Sequence, residues 1–170
     1  MLHTPFYNSE KSYEENKVKN MINNIIFDWK RTLYNPDDGT LIEGAKEILE
    51  VLQHKNIPLT LIGKGNADMY REVKRLEVEK YFSNIIFQDG LKENSLFEPY
   101  ISKDDPSSTF FIGDRVKSEL AVGKSLGATT VWVRQGKFSM EEPENENQMP
   151  DYVVTTLIEV KDLLINKFHI

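Results

Sequence analysis

From residue 24 onward, short apolar runs alternate with amphipathic stretches. The runs are NIIF (24–27), PLTLI (58–62), a second NIIF (84–87), TFFI (109–112), TTVWV (129–133) and YVV (152–154). They are rich in β-branched and aromatic residues and carry few polar interruptions, which predicts strands buried on both faces. Between them the apolar spacing changes to that of a helix. In 43–55, Ala45, Ile48, Leu49 and Leu52 recur at i, i+3, i+4 and i+7. In 66–78 Met69, Val73 and Leu76 share a face, and in 116–126 Val116, Leu120, Val122 and Leu126 form a looser one. A last helix opens at TTLIEV, where Thr156 and Glu159 have capping-box spacing, and would bury Val160, Leu163 and Leu164. Strands that alternate with helices predict an α/β three-layer sandwich around a mostly parallel central sheet.

Residues 1–20 break this pattern. They are polar, with Glu, Lys and Asn in place of an apolar period. Ser12 and Glu15 repeat the capping-box spacing, so this segment reads either as a short helix over about 13 to 22 or as a loosely docked arm. The rest, 21–170, reads as one domain.

In an open parallel sheet, ligands bind beyond the carboxyl ends of the strands, where the strand order reverses. The residues that follow each strand are therefore the candidates. The first strand is followed by Asp28 and the second by GKGN, Gly63 to Asn66. The third leads into QDGLK, with Lys92 near the next helix. The fourth leads into GDRVKSE, with Gly113, Asp114 and Glu119, and the fifth into Arg134.

Composition narrows the chemistry. A length of 170 residues supports one core of ordinary size without cross-links. The chain has no cysteine, which excludes disulfides, thiolate metal sites and cysteine nucleophiles. Its net charge of -6 disfavours sequence-independent binding to nucleic acid, which needs clustered cations. No apolar stretch approaches the roughly 20 residues that span a bilayer, and the first 20 residues lack the apolar core of a secretory signal. The expectation is a soluble, cytoplasmic protein that meets neither membrane nor nucleic acid.

The order of these strand-end residues resembles the haloacid dehalogenase-like (HAD) superfamily, mostly phosphatases and phosphotransferases with a Rossmann-like fold. The resemblance runs from about residue 24 to 167. GDRVKSELAVGKSLGATTVWV (113–133) carries most of it, and PDYVVTTLIEVKDLL (150–164) looks like the family's closing strand and helix. It implies that Asp28 is a nucleophile that forms an aspartyl-phosphate. It implies Mg²⁺ held by Asp28, the carbonyl of residue 30 and Asp114, with Glu119 acting through water. Lys92 would neutralise the phosphate, with Lys103 a weaker candidate. Large caps in this family follow the first or second motif. Asp28 and Gly63 are only 35 residues apart, and Gly63 and Lys92 only 29. Neither interval has room for a cap domain, so a site open to large substrates or to a partner's surface is implied.

Two motifs depart from the pattern. The first is D-x-D-x-[TV], but DWKRT places Lys30 where the second aspartate, the general acid and base, should stand. The second strand should end in Ser or Thr to bind the phosphoryl group, and here that place is Gly63. At an effective dielectric of about 20, a pair of unit charges about 4 Å apart is worth about 4 kcal/mol. Exchanging a carboxylate for an ammonium reverses that sign, which implies weak or absent Mg²⁺ binding and a Lys30 side chain paired with Asp28 or Asp114. Loss of a general acid costs about 10²–10⁴ in rate, and an ordinary lysine, with a pKa of about 10.4, is a poor replacement. Backbone N–H groups of Gly63, Lys64 and Gly65 could still cradle an anion. Two readings result. One is a weak phosphohydrolase that acts on a small phosphorylated molecule. The other is a non-catalytic module that binds such a ligand or a protein partner.

Other readings rest on less. GKGNAD is a partial dinucleotide fingerprint with Asp68 at the third glycine, and it lies on the second strand. A receiver domain would need an acidic pair after strand one and its phosphorylated aspartate after strand three, where only QDG occurs. His3, His54 and His169 read as surface residues, and Trp29 and Trp132 as core. Arg115 and Arg134 could bind a second anionic group, but pairing with nearby surface acids fits them better.

Overall fold

In a computed structural model, residues 21–90 and 93–170 are described. The expected arm therefore lies outside the described residues, as does Lys92; residues 21 and 22 are not helical.

The core of the fold is a six-stranded sheet of β1 (Asn24–Phe27), β4 (Leu59–Lys64), β5 (Asn84–Gln88), β6 (Thr109–Gly113), β7 (Thr129–Val133) and β8 (Tyr152–Val154). The strand order is β5-β4-β1-β6-β7-β8. Every pairing is parallel, so the sheet is wholly parallel where a mostly parallel one was expected. All six strands coincide with the apolar runs.

Alternation along the strands sorts side chains between two layers. Ile25, Phe27, Leu59, Leu61, Phe110, Ile112, Val131 and Val133 face one side. There they meet helices α1 (Ala45–His54), α2 (Ala67–Arg75) and α5 (Leu157–Phe168). Ile26, Ile62, Phe111 and Trp132 face the other side and meet α3 (Asn94–Phe97) and α4 (Glu119–Ser125). Helix α4 is shorter than the expected 116–126, because Val116 is buried from a turn and not from the helix. A Cβ on Gly123 would lie 3.0 Å from Phe111, so glycine lets α4 settle close on β6. At α5, Thr156 caps as its spacing predicts, accepting from the Glu159 N–H at 3.1 Å. The reciprocal contact reaches the Thr155 N–H instead, at 2.8 Å.

A hairpin of β2 (Tyr34–Asn35) and β3 (Thr40–Leu41) follows β1 and has no counterpart in the sequence reading. With two-residue strands it shows no period. Its turn is built locally: Asn35 Oδ1 accepts from the Asp37 N–H and Gly39 takes a positive φ of 71°. The interval from Asp28 to Gly63 holds this hairpin, α1 and β4, and no cap domain. Among the described residues no helix is long and apolar enough to cross a membrane.

Candidate active site

Strand β1 is the centre of the sheet, and the order runs outward from it both ways, through β4 and through β6. The crevice between the carboxyl ends of β1 and β6 is where an open α/β sheet binds its ligands. Asp28 ends β1 and Asp114 ends β6, and the Asp28 N–H donates to the Ile112 carbonyl at 3.0 Å, tying the two ends together. Glu119 opens α4 on the same edge. The three carboxylates each bring an oxygen within 4.8 Å of the others.

All three are buried, at 3% exposure for Asp28, 2% for Asp114 and 7% for Glu119. Burying like charges together is costly. Asp114 registers the cost: burial first, then the Asp28 and Glu119 charges, push its pKa up to about 9. Asp114 Oδ2 has no hydrogen-bond partner among the described residues. A buried acceptor of this kind, flanked by two more hard oxygen donors, suits a small divalent cation such as Mg²⁺. The residues present thus fit the metal, which Asp28, Asp114 and Glu119 would hold.

Further side chains fix these acids in place. Thr32 Oγ1 donates to Asp28 Oδ2 at 3.4 Å. Trp132 Nε1 donates to the Asp114 carbonyl at 2.9 Å, so this core tryptophan also holds the loop. Gln135, in the loop after β7, donates through Nε2 to the Arg31 carbonyl at 3.2 Å and the Thr32 carbonyl at 3.5 Å. Its place just past a strand end was the only signal for it. Arg31 takes a left-handed φ of 64°, held by its N–H donating to the Tyr34 carbonyl at 2.7 Å.

Residues 61–160, more than half of the chain, match the HAD-hydrolase-like family. The chain belongs to the HAD superfamily. It is 26% identical over 130 residues to a glyceraldehyde 3-phosphate phosphatase of Pyrococcus furiosus, covering 72% of this chain and 54% of that one. The chain spans about half the length of the glyceraldehyde 3-phosphate phosphatases of Pyrococcus furiosus and Pyrococcus abyssi that it matches. Among solved structures it resembles an uncharacterized protein of Listeria monocytogenes at a TM-score of 0.69 and 18% identity, covering 86% of this chain and 99% of that one. A HAD phosphatase of Thermococcus onnurineus superposes at a TM-score of 0.60 and 23% identity, covering 73% of this chain and 58% of that one.

The HAD positions can now be placed. Lys30 is half-buried and forms no ion pair with Asp28, Asp114 or any other carboxylate among the described residues, so the expected pairing is not formed. It is also not among the charges that move Asp114. Its backbone bridges to Tyr34. Gly63 is more than a missing hydroxyl. A Cβ there would lie 2.7 Å from the Phe87 ring and 2.8 Å from Trp29 Cβ. Trp29 stacks on Tyr34 at 5.0 Å, and Phe87 sits edge-on to both Trp29 and Tyr70. Lys64 is the exposed last residue of β4, and the Gly65 N–H already donates to the Gln88 carbonyl at 3.2 Å. Lys103 is exposed in the loop entering β6, next to a Ser102 N–H that bonds Thr109 at the strand's start, and so lies at the far edge of the sheet. Arg115 pairs with Glu141 at 3.0 Å and Arg134 with Glu142 at 3.3 Å, as their surroundings suggested.

Proposed function

We propose that the chain hydrolyses phosphate monoesters, with Asp28 as the attacking carboxylate. The observation that carries this reading is the buried convergence of Asp28, Asp114 and Glu119 at the β1/β6 crevice. Thr32 Oγ1 engages Asp28 Oδ2 at 3.4 Å and so fixes the side chain that would attack phosphorus. A bound Mg²⁺ would supply charge shielding that lets an anionic carboxylate approach an anionic ester. Attack forms an aspartyl-phosphate and releases the alcohol oxygen; water then splits the acyl phosphate and returns the carboxylate. With Lys30 in the place of the general acid, the leaving oxygen takes its proton from solvent. The loss of about 10²–10⁴ in rate falls on poor leaving groups and spares activated ones. The glyceraldehyde 3-phosphate phosphatases among the relatives favour a small phosphorylated substrate.

The test is hydrolysis of an aryl phosphate with Mg²⁺ by wild type, Asp28→Asn and Lys30→Asp. Wild type should turn over, Asp28→Asn should be silent, and Lys30→Asp should gain at least about ten-fold, most of all on alkyl esters. Equal activity in wild type and Asp28→Asn would refute the reading.

A second reading is a pseudoenzyme that binds a phosphorylated ligand or a protein partner. The Phe87 and Trp29 side chains in the space beside Gly63 favour it, because they remove a phosphoryl contact. Under this reading wild type is silent, and Asp28→Asn keeps or gains ligand affinity.

A further inference from the structure

Aromatic side chains crowd the strand end at Gly63, and a cleft with two cations in its lining lies beside the loop that follows Asp28. On the β4–β5 side, Phe87 and Trp29 fill the space around Gly63, with Tyr70 packed on Phe87. On the β7 side, a cleft of about 290 Å³ lies between the β2–β3 hairpin and the loop after β7. Arg31, Asn35, Gln135 and Lys137 line it, with Asp37 as its acid. One hydrogen-bonded path joins the cleft to the nucleophile: Gln135 holds the Thr32 carbonyl, and the Thr32 hydroxyl holds Asp28.

Phe138 gathers three cations around its ring. Arg115 Cζ lies 4.0 Å from its centroid, Lys137 Nζ 5.5 Å and Arg31 Cζ 5.6 Å. An aromatic face attracts each cation, but the cations repel one another. Glu141 balances Arg115. Neither Arg31 nor Lys137 forms an ion pair among the described residues. Arg31 holds its place in a left-handed backbone that a residue with a side chain seldom adopts, and such strain collects where geometry serves binding.

We infer that this cleft receives a second anionic group of the substrate, a carboxylate or second phosphate carried on the leaving group. The inference rests on the phosphohydrolase reading and names its substrate class: small phosphate monoesters with a further negative charge. Arg31 supplies a planar fork of donors for such an oxyanion, and Lys137 a point charge beside it. An alcohol without that charge gains nothing from the cleft.

The test is titration calorimetry on the full chain carrying Asp28→Asn with Mg²⁺, so that no probe turns over. The probes are ethyl phosphate, phosphoglycolate and ethane-1,2-diyl bisphosphate. At least one of the two doubly anionic probes should bind about ten-fold tighter than ethyl phosphate, and the advantage should shrink with added salt. The tighter of the two identifies the group. Adding Lys137→Met, at an exposed position where folding is not at stake, should remove most of the advantage and leave ethyl phosphate unchanged; Arg31→Met should do the same. Equal binding of all three probes would overturn the cleft and leave the phosphate site standing, and so would an advantage that survives both substitutions. Binding of none of the three would overturn both.

Discussion

At the scale of single residues, Gly63 and Phe87 behave as one unit. Restoring the family's hydroxyl by Gly63→Ser forces a Cβ to 2.7 Å from the Phe87 ring. Overpacking of this kind costs about 1–3 kcal/mol. We expect Gly63→Ser to lower the urea midpoint and leave turnover no higher. Gly63→Ser combined with Phe87→Ala should recover part of the lost stability over the single variant, and should raise turnover of the aryl phosphate. If the single variant is as stable as wild type, the crowding at this strand end is not real. No one-residue motif shows this coupling. The glycine is visible in the sequence, but the ring that makes it necessary arrives from the next strand, 24 residues on.

At the scale of elements, polar contacts tie the hairpin to α2. Tyr34 donates through its hydroxyl to Glu72 Oε2 at 3.0 Å, Glu72 pairs with Arg75 at 2.6 Å, and Arg75 Nη2 reaches the Gly39 carbonyl at 2.5 Å. The hydrogen bond from Arg75 foremost, then that from Tyr34 and the Arg75 charge, hold the Glu72 pKa down to about 2. A depressed carboxylate stabilises the fold above its ordinary value near 4.5 and loses that contribution as pH falls toward about 2. Exchange of the Gly39 amide, which donates to the Asn35 carbonyl, should therefore quicken between pH 5 and pH 3 relative to core amides. Glu72→Gln should show the fast rate at both values; a pH-independent Gly39 would sink the idea. Elements with a long apolar period were legible beforehand, such as α1 with its four buried residues, or β6. The hairpin was not, because its stability comes from a helix 38 positions away in sequence, through Tyr34 and Glu72. The site divides in the same way. Asp28 and Asp114 stand at strand ends and Glu119 at the start of the next helix, so they could be read directly. The roles of Gln135, Phe138 and Phe87 depend on which loops meet in space.

At the scale of the whole molecule, the carboxylate cluster makes stability answer to metal and pH together. Without metal, Asp114 keeps its proton up to about 9 when folded but only to about 3.8 when unfolded. The folded state therefore binds more protons across that window, and stability falls as pH rises through it. A cation that replaces the proton should cancel the slope. Thermal melts without metal should give a lower Tm at pH 8.5 than at pH 6. Millimolar Mg²⁺ should raise the pH 8.5 value more than the pH 6 value, by about 2.7 kcal/mol of stability if it is present at about 100 times its Kd. Asp114→Asn should remove both the slope and the metal response. A Tm at pH 8.5 that ignores Mg²⁺ would mean that Lys30 or the crowded strand ends exclude the ion.

The chain's two tryptophans bracket this cluster. Trp29 follows Asp28 in sequence, and Trp132 donates its indole N–H to the Asp114 carbonyl. Both are buried, and no other indole dilutes their signal. The protein therefore carries its own optical gauge: emission excited at the indole band reports on the two loops that hold the acids. Occupancy of the crevice can be followed without a label, with Trp29→Phe and Trp132→Phe assigning the change to one loop or the other.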